Sequence, residues 1–157
     1  MRSLGRADRF VAGAVGEPGR RAFLLEVAGE SPVEWFLLEK QQVAALAERT
    51  LGLLRGLGVP PGAPGPGLTD PGPPTFRVDE IGITIDNDDF LVALSPVDDD
   101  DETGPVGFTV APGVMDAMAR RAVEVVGAGR PACRFCGLPD DPDGHACPAG
   151  NGDLRDS

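Results

Sequence analysis

Two rounds of the same hydrophobic rhythm run along this chain. Residues 9–15 predict a first strand, and Gly16-Glu17-Pro18-Gly19 is a turn by composition. Residues 21–27 follow as a second strand, with Phe23, Leu25 and Val27 alternating onto one face. After a second turn at 29–32, residues 33–38 set Val33, Trp35 and Leu37 on one side and Phe36 and Leu38 on the other. Apolar side chains on both sides are expected of a strand covered on both faces. From Glu39 the period lengthens: Val43, Leu46, Ala47, Thr50 and Leu54 recur at helical spacing, and Gly56 and Gly58 end the helix. Residues 56–75 are so rich in Gly and Pro that they are expected to form an exposed, mobile connection with no regular element.

The second round begins at 76–85, where Ile81, Ile83 and Ile85 alternate. Asp86-Asn87-Asp88 predicts a hairpin turn back into 90–94. An acidic loop, 98–104, leads to Val106, Phe108 and Val110 in a further strand. Pro112 suits the first position of a second helix, whose stripe is Met115, Met118, Ala122, Val125 and Val126. Gly127 and Gly129 close it before Pro131. The expected architecture is α+β: tandem βββα units forming a mostly antiparallel sheet, with both helices packed on it. Residues 1–130 form that domain, as halves 8–55 and 76–129 around the connection. A zinc-knuckle-like segment follows at 131–150, then a flexible tail at 151–157.

Charge narrows the functional classes. The chain of 157 residues carries 25 acidic against 14 basic side chains, a formal net charge of −11. That field repels a phosphate backbone, so nucleic acid and anionic membranes are disfavoured partners. No apolar run is long enough to span a bilayer, and the N-terminal residues lack the apolar stretch of a signal peptide. A cytoplasmic location is expected.

The strongest chemical feature is the set Cys133, Cys136, His145 and Cys147, in the pattern C-x2-C-x8-H-x-C. It holds every cysteine and the single histidine of the chain. Soft thiolates with one imidazole favour Zn²⁺, and four protein ligands leave no open position, so the metal is expected to be structural. The H-x-C spacing departs from the usual C-x2-C second half. A redox pair at Cys133 and Cys136 is the competing reading, but a thioredoxin-like C-x-x-C needs a helix immediately behind it, and Gly137, Pro139 and Pro142 oppose one.

Other candidates are weaker. Asp86, Asp88 and Asp89 begin like a calcium loop, but Phe90 and Leu91 occupy positions where that loop needs a ligand and a glycine. The run 98–102 reads as a solvated acidic loop. Nucleotide-binding glycine motifs are absent. Trp35 is expected in the core, and Arg120 and Arg121 on a solvated helix face. Arg20, Arg21 and Arg77 would make an anion site only if the fold joined them. With no Tyr, one Lys and the histidine in the metal set, few general bases remain.

Two stretches carry a family likeness. Asp8-Arg9-Phe10-Val11-Ala12-Gly13 with Val15-Gly16-Glu17-Pro18-Gly19, and residues 38–49, form one. Gly129-Arg130-Pro131 running into Cys133-x-Phe135-Cys136-Gly137-Leu138-Pro139, then Gly144-His145-x-Cys147-Pro148, form the other. Together they resemble an uncharacterised actinobacterial family labelled domain of unknown function 3090, over nearly the whole chain. The chain departs from that family's pattern at Asp140 and in its connection. The resemblance implies a cytoplasmic protein with a small zinc-binding element and brings no reaction with it. The functional expectation is a non-catalytic zinc-binding adaptor acting on a protein partner. The alternatives are an enzyme using Asp, Glu and Arg in a cleft between the halves, and weak nucleic-acid binding through the zinc element.

Overall fold

The computed structural model describes residues 1–17, 19–98 and 104–128. The order is β1 (Arg2–Val15), β2 (Ala22–Gly29), β3 (Glu34–Leu38), α1 (Lys40–Gly56), β4 (Phe76–Asp86), β5 (Asp89–Pro96), β6 (Val106–Val110) and α2 (Pro112–Gly127). The tandem βββα order is therefore present, but the sheet does not stay open. Its six strands close into a barrel in the order β1-β2-β3-β4-β5-β6. Four pairings are antiparallel, while β3–β4 and β6–β1 are parallel. The β3–β4 seam that helps close the ring is only two residue pairs long, Phe36 with Phe76 and Leu37 with Arg77.

Every strand sends an apolar set inward: Phe10 and Ala12, Phe23, Leu25 and Val27, Phe36 and Leu38, Phe76, Val78 and Ile83, then Phe90, Val92, Leu94, Phe108 and Val110. A barrel this narrow has its interior filled by side chains. Phe10 meets Phe108 edge to face, and Phe36 meets Phe76 likewise, each with centroids 5.1 Å apart. The stripe expected for α1 is the buried set found: Val43, Leu46, Ala47, Thr50 and Leu54. In α2, Met115, Met118 and Ala122 are buried, and Val125 and Val126 pack half-buried at the margin. Both stripes join the inward strand residues in one core, and the helices pack on each other.

The two halves repeat at the level of register. Phe36 and Leu38 in β3 correspond to Phe108 and Val110 in β6, and Leu25 pairs with Phe36 as Val92 pairs with Phe108. Each long strand is bulged at the same place, between Ala7 and Arg9 in β1 and between Val78 and Glu80 in β4. Val43, Leu46, Ala47 and Thr50 of α1 answer to Met115, Met118, Ala119 and Ala122 of α2. Side-chain identity hides this repeat; backbone pairing reveals it.

Helix starts follow their sequence signals. Gln42 reaches back to accept the Glu39 amide at 2.7 Å, a reciprocal end to α1. Its amide group also donates to the Val78 and Asp79 carbonyls at 2.9 and 3.1 Å, tying α1 to the β4 bulge. Pro112 opens α2 as expected. The hairpin between β4 and β5 turns at Asn87, whose φ of 58° lies in the left-handed region. Asn tolerates that conformation and β-branched residues do not. Asn87→Val is expected to lose about 1–2 kcal/mol of stability by this strain. Asn87→Gly should stay near wild type. Equal denaturation midpoints for the two variants would refute that reading of the turn.

Candidate functional site

Cys133, Cys136, His145 and Cys147 lie outside the described residues, as do the acidic loop from Asp99 to Glu102 and the tail 151–157. The helix that leads toward the Cys/His set is described up to Ala128. Its last turn is fixed to the barrel, because the Arg21 guanidinium donates to the Val125 carbonyl at 2.9 Å while stacking over Phe23. Among the described residues there is no group of three or more His, Cys, Asp or Glu able to hold a metal ion.

The densest polar constellation is one the sequence did not announce. Glu26 sits on the outward face of β2, opposite Val11 of β1 and Trp35 of β3, yet its side chain is fully buried. Its Oε1 accepts from Trp35 Nε1 at 3.0 Å, from the Thr69 amide at 2.9 Å and from Thr69 Oγ1 at 2.6 Å. Its Oε2 is paired with the Arg9 guanidinium. Burial alone would push this carboxyl up; the Thr69, Arg9 and Trp35 donors outweigh it and hold the pKa below the ordinary 4.5. All strong contacts to Glu26 run to barrel strands or to the connection. It is a latch, and its chemistry is consumed by structure.

The connection is correspondingly tied to the body of the protein. It forms no helix or strand, as expected, but it is bonded along its length to the barrel and to α2. The Gly62 amide donates to Asp116 Oδ2 at 2.9 Å, and the Gly65 amide to the Ala117 carbonyl at 3.0 Å. Arg9 donates to the Gly67 carbonyl, and the Thr75 amide to that of Trp35 at 2.7 Å. Leu68 lies so close to Gly13 that a Cβ there would come within 2.4 Å of its Cγ, so this crossing requires glycine. Gly and Pro here mark a strap lying flat on the sheet. Composition reads the same for a tether and for a strap; only the donors on the surface beneath tell them apart.

The arginines also differ from expectation. Arg120 pairs with buried Asp116 at 3.0 Å, and Arg121 donates to the Gly65 carbonyl at 2.8 Å, so both hold the strap rather than only facing solvent. Arg21 and Arg77 engage separate partners, Val125 and Glu39, and form no joint anion site. Trp35 is half-buried beneath Gly72 on the outer face, not inside the barrel. Asp89, from the acidic turn, pairs with Arg6 at 2.6 Å. Glu34 is held below its ordinary pKa by a bidentate bond from Arg2, both contacts at 2.8 Å, with Thr75 adding a third donor.

Clefts between helix and strand complete the described surface. One of about 180 Å³ lies between α1 and β4, lined by Gln42, Ala45, Leu46, Arg49, Asp79, Ile81 and Ile83. It joins the two halves, but it brings one carboxylate and one guanidinium to a shallow apolar floor. A second, of about 220 Å³, lies between β1, α2 and the strap. Among the described residues no helix is long and apolar enough to cross a membrane.

No curated protein and no solved structure matches the chain. One family does, and its span runs from the first strand to Cys147, taking in all four Cys/His positions. The family model described as "Protein of unknown function (DUF3090)" matches residues 3–147, and the chain belongs to that family.

Proposed function

We propose that the protein is a non-catalytic adaptor in which a barrel presents a structural zinc element, held by Cys133, Cys136, His145 and Cys147, to a protein partner. The observation that carries this reading is the anchorage of α2. The helix leading to the Cys/His set is bound on one side into the core through Met115, Met118 and Ala122. On the other side it is bound to the strap through Asp116, Ala117 and Arg121. This anchorage fixes the point from which the Cys/His set continues. Three thiolates and an imidazole suit zinc and fill its tetrahedron, which fits a structural role. The same reading assigns the protein to the cytoplasm, where thiols stay reduced. A net charge of −11 favours a protein partner over nucleic acid.

Elemental mass spectrometry on the purified chain tests it. One zinc per chain is expected, with loss of the metal in both Cys136→Ser and His145→Ala. A metal-free wild type with three freely reactive thiols would overturn the reading and turn attention to redox chemistry at Cys133 and Cys136. The partner itself is sought by recovering a complex with the zinc-loaded chain that Cys136→Ser no longer forms.

A further inference from the structure

The first half of the strap is fastened at every third residue. The Val59 amide donates to the Leu54 carbonyl at 3.0 Å, and the Val59 side chain packs half-buried against the core. The amides of Gly62 and Gly65 donate to Asp116 and to the Ala117 carbonyl, and Leu68 lies half-buried against Gly13. Between these points Pro60, Pro61, Ala63, Pro64, Pro66 and Gly67 are exposed. No residue from Val59 to Thr75 has a positive φ, and no hydrogen bond joins two residues of that stretch. A period of three in an extended backbone without internal hydrogen bonds is the pattern of polyproline II. One edge, at 59, 62, 65 and 68, faces the body of the protein. The second carries Pro61 and Pro64, and the third carries Pro60, Ala63 and Pro66.

The fastening itself decides where the prolines stand. Positions 59, 62 and 65 are held through their amides, which proline lacks, so proline is confined to the outward edges. Among the described residues the carbonyls of Pro60, Pro61, Ala63 and Pro64 accept no hydrogen bond. Rings one turn apart with unengaged carbonyls between them are what aromatic-lined grooves use to recognise this conformation. The strap is already held extended, so a partner need not order it on binding. From Gly56 to Thr75 the only charged side chain is Asp70, so the surface offers shape and carbonyls without an ion pair. We propose that Pro61-Gly62-Ala63-Pro64, flanked by Pro60 and Pro66, is a docking ridge for the aromatic-lined, proline-reading groove of a partner protein. The ridge uses neither the Cys/His set nor its metal, so groove binding and zinc content are read separately.

The test is an NMR titration of the isotope-labelled full chain with an SH3, a WW and an EVH1 domain in turn, three folds that read this conformation. Saturable shifts at the Gly62, Ala63, Gly65 and Gly67 amides are expected with at least one of them. Trp35 Nε1 and the Thr69 amide should stay unshifted, because the strap is read where it lies. Pro61→Ala combined with Pro64→Ala should weaken binding about tenfold. Pro73→Ala, outside the ridge, should leave it unchanged. All three prolines are exposed, and equal denaturation midpoints would show that the variants keep the fold. Three results would overturn the proposal. One is the absence of saturable shifts with all three domains at millimolar concentration. Another is binding that survives loss of Pro61 and Pro64. The third is a joint shift of Trp35 Nε1 and the Thr69 amide, meaning that the domain peels the strap away instead of reading it in place.

Discussion

Glu26→Ala is expected to destabilise the fold by about 3 kcal/mol, the usual scale for removing one partner of a buried charged pair. The substitution strips four donors of their acceptor at once: the Arg9 guanidinium, Trp35 Nε1, and the amide and hydroxyl of Thr69. The loss should also be local in its signature. Amide exchange ought to accelerate through residues 62–72, where the strap is bonded, before it does so in β5 or β6. The pH dependence has a definite sign. The folded pKa of Glu26 lies below its ordinary 4.5, so the latch contributes fully above that value and loses its contribution as pH falls through the lower folded value. Wild type should therefore lose stability between the two values more steeply than Glu26→Ala. Unchanged exchange in the strap would show that the segment holds to the barrel without Glu26.

Phe108→Ala should cost more, about 3–5 kcal/mol, as expected for emptying a packed aromatic site. Phe108 is 1% exposed, pairs with Val92 of β5 and meets the ring of Phe10 edge to face. Its strand is short and joins β5 to β1, so the cavity would open where the barrel closes. Phe108→Leu fills most of that volume and should cost roughly 1 kcal/mol. The check is the urea midpoint of both variants with the slope held constant. A loss below about 1 kcal/mol for the alanine variant would mean that the interior relaxes to fill the space, against a tightly packed barrel.

What the sequence made legible was whatever a single core face imposes on one element. The α1 stripe was read residue for residue, because a helix against one core must repeat its apolar positions at helical spacing. The β4–β5 hairpin and the order of elements were readable from alternation and turn chemistry. The start of β1 was not. Leu4, Ala7 and Phe10 all point into the core but stand three apart, because irregularities after Ser3 and after Ala7 each break the alternation. Barrel closure was invisible for another reason. Its two parallel joints, β3–β4 and β6–β1, pair strands far apart along the chain, and such pairing leaves no local mark. Glu26 looked like an ordinary outward residue of an alternating strand. Its burial comes from a segment with no periodicity of its own. The Cys133, Cys136, His145 and Cys147 set is a reading of residue type and spacing, and it lies outside the described residues.

The two parallel joints also dictate when this molecule can become itself. During synthesis, the first three strands and α1 emerge with nothing to pair against the free sides of β1 and β3, and with the stripe of α1 uncovered. Only when β6 has left the ribosome can it meet β1, more than ninety residues upstream, and complete the ring. Contacts of that span slow folding and prolong the exposure of unpaired strands. A chain interrupted after α1 would carry half a ring whose complementary half has the same pairing pattern. Its nearest substitute is another interrupted chain, so truncation at this point should yield paired halves or aggregates rather than a stable monomer.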